Sequence, residues 1–302
     1  MTETENTVLI LGYGEMGHAM QVLLDERNDL YLWDKFASAG MENAVLEDAA
    51  PRADFILFCL PVNPHREVAE LLVPLLKPDC VCISIAKGLD EAGQTAAQIF
   101  DGIFGAADID YALLYGPMIS EELRAGRYGF AQLACSAQKT RPRVQQLFSE
   151  SSLLLAPCDD MAGTSWSVIL KNVYAIIFGI ADGLGMGDNM RGFLMATSLN
   201  ELNAIVRYMG GSGETAYDLA GLGDLIATAT SLDSHHHELG CRLARGETSD
   251  ISGEGIHTLR MIERHSLFEW SKYPLFCLIR HLVSEPHSAE NEILVFAKQN
   301  FH

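Results

Sequence analysis

Along the first half of the chain, short apolar runs alternate with segments whose apolar residues recur at helical spacing. Residues 8–11, 30–33, 55–60, 81–85 and 111–115 read as strands, and segments such as 18–26 and 66–76 between most of them read as helices. That order predicts an α/β arrangement built on a doubly wound parallel sheet. From about Met161 the pattern changes to long helical stretches, 164–181 and 191–209 first, separated by glycine-rich turns. The expected organisation is a sheet domain over 1–160 and an all-helical C-terminal domain over 161–302, with a tight boundary near Asp160.

The first strand leads directly into Gly12-Tyr13-Gly14-Glu15-Met16-Gly17 and then into a helix. This is a dinucleotide-binding fingerprint in its proper context, and it makes the sheet domain Rossmann-type. Gly12 permits the tight turn, Gly14 lets the backbone approach a pyrophosphate, and Gly17 lets the helix pack on the strand. The helix N-terminus presents free N–H groups to the phosphates. The pattern alone is a weak signal, but the second strand ends in Asp34, at about the ~20-residue distance expected of a ribose ligand. A carboxylate there accepts both ribose hydroxyls and repels a 2′-phosphate, so NAD is expected, with NADP as the alternative because Lys35 is adjacent. Pro61-Val62-Asn63, Ala86-Lys87-Gly88 and Gly116-Pro117 follow later strands, at the carboxyl ends where such sheets bind ligands.

Residues 168–187 drop Lys171 and Asn172 into an otherwise apolar helical run. A buried, unpaired ammonium is costly, and desolvation lowers its pKa toward the range of a working acid or base. The competing reading is a polar stripe, Thr164, Ser167, Lys171 and Asp182, with the lysine snorkelling to water.

Composition narrows the class. The chain has 302 residues, 48% of them hydrophobic, and a formal net charge of −19, with a mean hydropathy of only +0.10. Nucleic acid or an anionic membrane would need a dense basic face, so neither is an expected partner; a small anionic substrate needs only a few local cations. Seven cysteines occur as scattered singles without a C-x-x-C pair, which argues against a disulfide framework or zinc ribbon and for a reducing cytoplasm. Residues 1–7 are polar and acidic, unlike a signal peptide. Lys171 and Asn172 interrupt the best candidate for a membrane span, so no insertion is expected.

Together these motifs resemble the NAD(P)-dependent glycerol-3-phosphate dehydrogenase family. The matching pieces are the Gly12 to Gly17 loop, Ala86-Lys87-Gly88, Gly116-Pro117 with Glu121 after it, Leu170-Lys171-Asn172-Val173, Gly183 to Gly187 with Asn189, Ala220-Gly221-Leu222-Gly223-Asp224-Leu225, and Gly253-Glu254-Gly255. They occur in order over nearly the whole chain. The resemblance implies interconversion of sn-glycerol 3-phosphate and dihydroxyacetone phosphate by hydride transfer, in a homodimer, on a phosphorylated or other small anionic polyol. Hydride arrival at a carbonyl leaves an alkoxide that must be protonated. The resemblance implies that Lys171 supplies that proton and that Asp224 orients its ammonium. It implies substrate contacts from Lys87, Gly116, Asn172, Thr228, Ser234, His235 and His236. It implies cofactor contacts from Gly12, Tyr13, Gly14, Met16, Gly17, Asp34, Pro61, Lys87, Ser120 and Glu254. Each has a plainer alternative: Lys87 as a solvent-facing turn lysine, Asp224 as a helix cap, and Gly-Glu-Gly as an exposed turn.

The chain departs from the family after Asp224. Where members show serine followed by arginine, asparagine and arginine, it reads Ser234-His235-His236-His237; Thr197 stands where members often carry arginine, and Met118 replaces a small residue. The first arginine is the family's expected grip on the substrate phosphate, and imidazole cannot reproduce its fork. Three consecutive histidines on a helix point in different directions, so no metal site is expected. His235 and His236 are expected to line the substrate site, with an exposed helix start as the alternative. The departure leaves open a related dehydrogenase acting on another hydroxy or keto compound, or a dinucleotide-sensing relative without turnover.

Overall fold

Val8, Leu9, Ile10 and Leu11 are fully buried and form the spine of β1 (Thr7–Leu11), next to which the rest of a seven-stranded sheet assembles. The other strands are β2 (Asp29–Trp33), β3 (Phe55–Phe58), β4 (Val81–Ser84), β5 (Asp110–Tyr115), β6 (Gly129–Cys135) and β7 (Leu153–Cys158). Their order is β2-β1-β3-β4-β5-β6-β7. All neighbouring pairs are parallel except β5 with β6. Alternate residues enter opposite faces, as the strand period dictates: Val8, Ile10 and Leu57 join one core, while Leu9, Leu11, Ile56 and Phe58 join the other. The helices of this part are α1 (Glu15–Leu24), α2 (Leu46–Ala49), α3 (His65–Leu72), α4 (Ala96–Ile103), α5 (Ser120–Arg124) and α6 (Thr140–Leu147).

The computed structural model describes residues 6–37, 41–231, 235–247, 249 and 251–301. The chain divides into two units, Met1–Asp90 with Gln94–Met161, and Glu91–Gly93 with Ala162–His302. The doubly wound sheet followed by helices is as expected, with two additions. β6 and β7 escape the hydrophobic pattern because β6 is diluted by Gly129, Ala131 and Gln132, and β7 is a half-exposed edge strand carrying Pro157. β6 also breaks the all-parallel expectation, returning beside β5 after the short α5 and a positive-φ turn at Gly126.

The second unit is helical: α7 (Met161–Gly183), α8 (Gly187–Tyr208), α9 (Asp224–Thr230), α10 (His235–Ala244), α11 (Glu254–His265), α12 (Pro274–Ser284) and α13 (Ala289–Gln299). Lys171 and Asn172 do not interrupt α7, which runs 23 residues and is long and apolar enough to cross a membrane. That corrects the expectation of an interrupted run; its apolar window is wholly buried in protein. Among the helices buried against it, α10 comes backbone to backbone: a Cβ on Gly240 would lie 2.4 Å from the Ile176 carbonyl oxygen. Glu201 on α8 ties the unit together. Its carboxylate accepts the N–H groups of Leu275 (2.6 Å) and Phe276 (2.9 Å) in the first turn of α12, and the Tyr174 hydroxyl (2.9 Å) from α7. The Glu91–Gly93 segment is seated on α11, with the Glu91 carbonyl 2.9 Å from His265 Nε2 and its carboxylate 3.1 Å from Arg264 Nη1.

Candidate active site

In the sheet unit, the strand order reverses at β1, with β2 on one side and β3 on the other; a ligand crevice is expected at such a switch point. Gly12 leaves β1 with φ +91°, where a Cβ would meet the Cys59 carbonyl oxygen at 2.8 Å. At Gly17 a Cβ would lie 2.0 Å from the Gly12 carbonyl oxygen, so α1 can start here only with glycine. A Cβ at Gly14 would have nothing within 4 Å. Gly14 is also the N-cap of α1 and makes no side-chain cap bond. The loop is therefore tight where it touches protein and open where a pyrophosphate would approach, which fits a dinucleotide. Met16 packs partly against the core.

Asp34 is more occupied than the sequence suggests. Its carboxylate accepts the Tyr13 N–H and the Phe36 N–H, each at 2.7 Å. Tyr13 thus spends its amide on Asp34, and its hydroxyl donates to Gln21 Oε1. A carboxylate has about four acceptor sites, which leaves Asp34 capacity for a ribose.

Along the same edge of the sheet, Lys87 Nζ donates to the Gly116 carbonyl at 2.9 Å. The lysine is half-buried and anchored, not a solvent-facing turn residue. Between the turn after β3 and the end of β4 lies a neutral cluster that sequence reasoning missed. The ring of His65, wholly buried, bridges the Pro61 carbonyl and the Ser84 hydroxyl, at 2.9 Å each. Ser84 in turn accepts the Ala86 N–H at 3.2 Å. Burial lowers the His65 pKa to about 4, against the raising effect of its bond to Pro61, so the ring stays uncharged. His65 thereby fixes the Pro61 turn to the end of β4, just before Lys87. Ser120 begins α5, buried, with its hydroxyl donating to Glu121 at 2.9 Å. Met118, in place of a small residue, is absorbed into the core.

In the helical unit, Lys171 is 5% exposed and Asp224 3%. Lys171 Nζ lies 3.3 Å from Asp224 Oδ2 and donates to Thr228 Oγ1 at 2.7 Å. The snorkelling alternative is thus corrected: the ammonium ends on a buried carboxylate. The turn Leu219–Gly223 is a wide, π-type coil immediately before α9, a feature common at functional sites. Asp224 is the first residue of α9, which has no side-chain cap, and it directs its carboxylate to Lys171. Asn172, beside Lys171, is equally buried. Gly255 sits against it, since a Cβ there would lie 2.5 Å from the Asn172 carbonyl oxygen. Within Gly253-Glu254-Gly255, Gly253 is an exposed N-cap, Glu254 opens α11 and Gly255 is packed, so the segment is a helix start and not a free turn.

Both units match signatures of one protein family. Residues 28–141 match the signature described as NAD-dependent glycerol-3-phosphate dehydrogenase N-terminus, and residues 160–293 match the corresponding C-terminus. Glycerol-3-phosphate dehydrogenase [NAD(P)+] of Thermosynechococcus vestitus is 32% identical over 84% of this chain and 83% of its own length. The chain belongs to the NAD-dependent glycerol-3-phosphate dehydrogenase family. The enzyme of the same name from Saccharophagus degradans is 31% identical over 70% of this chain and 61% of the relative's length. In fold, the crystal structure of glycerol-3-phosphate dehydrogenase from Coxiella burnetii matches with a TM-score of 0.83, at 22% identity, over 96% of this chain and 99% of that one.

Against that family background, the three histidines separate. His235 and His236 line a cavity of about 580 Å3 together with Glu254, while His237 Nε2 lies 2.8 Å from Asp182 Oδ2. Arg191 is held by the same Asp182 (2.7 Å) and by Asp188. Thr197 bonds back to the Phe193 carbonyl of its own helix at 3.0 Å. Ser234 lies outside the described residues. Burial pushes the Glu254 carboxyl above the usual carboxylate range, opposed by His257. All seven cysteines are free thiols.

Proposed function

We propose that the chain is an NAD(P)-dependent dehydrogenase that interconverts sn-glycerol 3-phosphate and dihydroxyacetone phosphate. The observation that carries this reading is the buried Lys171–Asp224–Thr228 cluster. When bound, the nicotinamide would supply or accept the hydride at the substrate's central carbon. Lys171 gives a proton from Nζ to the oxygen that becomes the hydroxyl, and takes it back in the oxidative direction. Thr228 and Asp224 aim the ammonium, and their burial excludes bulk water from the proton's route. Asn172 is carried beside that lysine on the same helix.

Lys87 and Gly116 are assigned to the substrate, with Ser234, His235 and His236. Gly12, Gly14, Met16 and Gly17 are assigned to the pyrophosphate, with Tyr13, Pro61, Ser120, Lys87 and Glu254 around the rest of the cofactor. Asp34 supports NAD over NADP by repelling a 2′-phosphate. A sensor without turnover would need no proton-transfer lysine, so the buried pair favours catalysis. We further infer a homodimer and a reducing, cytoplasmic setting; the free thiols support the latter, and sedimentation tests the former.

The test is a steady-state screen of ketones with and without a phosphate group, followed through NADH and NADPH absorbance. Reduction of dihydroxyacetone phosphate, faster with NADH, is the expected result. Turnover of an uncharged ketone but not of dihydroxyacetone phosphate would overturn the substrate assignment.

A further inference from the structure

The cavity that holds His235 and His236 lies between the first turns of α10 and α11, lined from one side by Glu238 and Arg242 and from the other by Gly253, Glu254 and His257. Arg242 is the one lysine or arginine among its described lining residues. It follows Glu238 by four positions and His235 by seven, so all three share one face of α10. Its guanidinium is braced from behind: Nε donates to Glu247 Oε2 at 2.9 Å, and Nη2 donates to the Ser249 carbonyl at 3.0 Å. Nη1 has no partner among the described residues. Gly253, the N-cap of α11, makes no side-chain cap bond, so the start of that helix keeps its orphan N–H groups at the cavity's edge. Two carboxylates, Glu238 and Glu254, face the same space and repel any anion that no permanent cation meets. Imidazole carries that charge only when protonated; a guanidinium carries it always.

We propose that Arg242 is this chain's phosphate-recognising cation, a specificity residue that binds a phosphomonoester dianion in the cavity and does the work of the arginine absent at position 235. The assignment rests on the reading of this cavity as part of the substrate site. Two sources carry the same chemistry, the substrate's phosphate and the 2′-phosphate of NADP, and the measurements separate them.

Arg242→Met and Arg242→Lys are compared with the unmodified protein for glycerol 3-phosphate kinetics, inorganic phosphate binding by calorimetry, and NADH and NADPH titrations. Arg242→Met is expected to weaken phosphate binding and raise the KM for glycerol 3-phosphate by about ten- to a hundred-fold, leaving kcat and NADH affinity in place. Arg242→Lys should recover part of the loss, since it keeps the charge but not the fork. A loss confined to NADPH would assign the guanidinium to the cofactor's phosphate. If the unmodified protein turns over no glycerol 3-phosphate, yet phosphate binding still depends on Arg242, the substrate reading fails and this one stands. Unchanged phosphate, glycerol 3-phosphate and NADPH binding in both variants overturns it. Should Arg242→Met not fold, Arg242→Gln removes the charge while keeping a polar side chain; it too should weaken phosphate binding, and unchanged affinity there and in Arg242→Lys is equally decisive against the proposal.

Discussion

Lys87, in the sheet unit, donates to the Gly116 carbonyl and keeps part of its side chain in solvent, whereas Lys171, in the helical unit, faces a carboxylate as buried as itself. The first is half-buried and gives one of its hydrogen bonds to a backbone dipole. The second is half of an ion pair taken out of water, so the loss of either partner removes the opposite charge that the other faces. One unit is thus built to present a charge and the other to confine one.

The sharpest way to break that contrast is at Asp224. Asp224→Asn should destabilise the chain by about 3–5 kcal/mol, read from urea unfolding, because it removes the carboxylate that the buried ammonium faces. Lys171→Met removes the charge along with the lysine; it should lower turnover by about 100-fold or more while NADH binding persists. Near-normal turnover in Lys171→Met would reduce the pair to a structural element.

A second test uses acid against the neutral cluster around His65. The folded pKa of His65 is about 4, below the ordinary 6.5. The unfolded chain therefore takes up the proton first as pH falls. The stability that His65 contributes is complete above pH 6.5 and drains away toward pH 4, by about 3 kcal/mol in all. His65→Leu should be less stable at neutral pH, and its urea midpoint should fall less steeply over that window than that of the unmodified protein.

Smaller effects sharpen the comparison further. Lys87→Met should raise the KM for glycerol 3-phosphate by about ten-fold, the scale of one charged hydrogen bond. Within the glycine loop, fold and function separate at two positions. Gly17→Ala should unfold more readily, because its Cβ would lie 2.0 Å from a backbone oxygen. Gly14→Ala, whose Cβ meets nothing within 4 Å, should keep the same midpoint and lose only NADH affinity. A drop in stability for Gly14→Ala would mean that the open space is not reserved for a ligand.

What was legible in the sequence was local. The Gly12 to Gly17 loop, Asp34 at the end of β2 and Lys171 in an apolar helix each carry their signal within a few residues. Residues whose partners are remote in sequence were not. His65 acts on Ser84, Glu201 caps a helix that begins at Pro274, and Arg242 stands out only when α10 and α11 share a cavity. β6 and β7 hid for a different reason: glycine, alanine, glutamine and proline dilute the strand signal, and pairing with neighbours supplies what composition lacks. The family match over 28–141 begins after the glycine loop, so that loop rests on its own geometry.

The small segment Glu91–Gly93 alters how the protein can be taken apart. A gene cut at codon 162 would deliver α11 with Arg264 and His265 lacking the acidic loop tip that they grip. Anyone wanting the helical unit alone has to graft a tripeptide, or some carboxylate in its place. Recombination between relatives meets the same condition, because the loop after β4 is inherited with one parent's sheet yet must suit the other parent's helix.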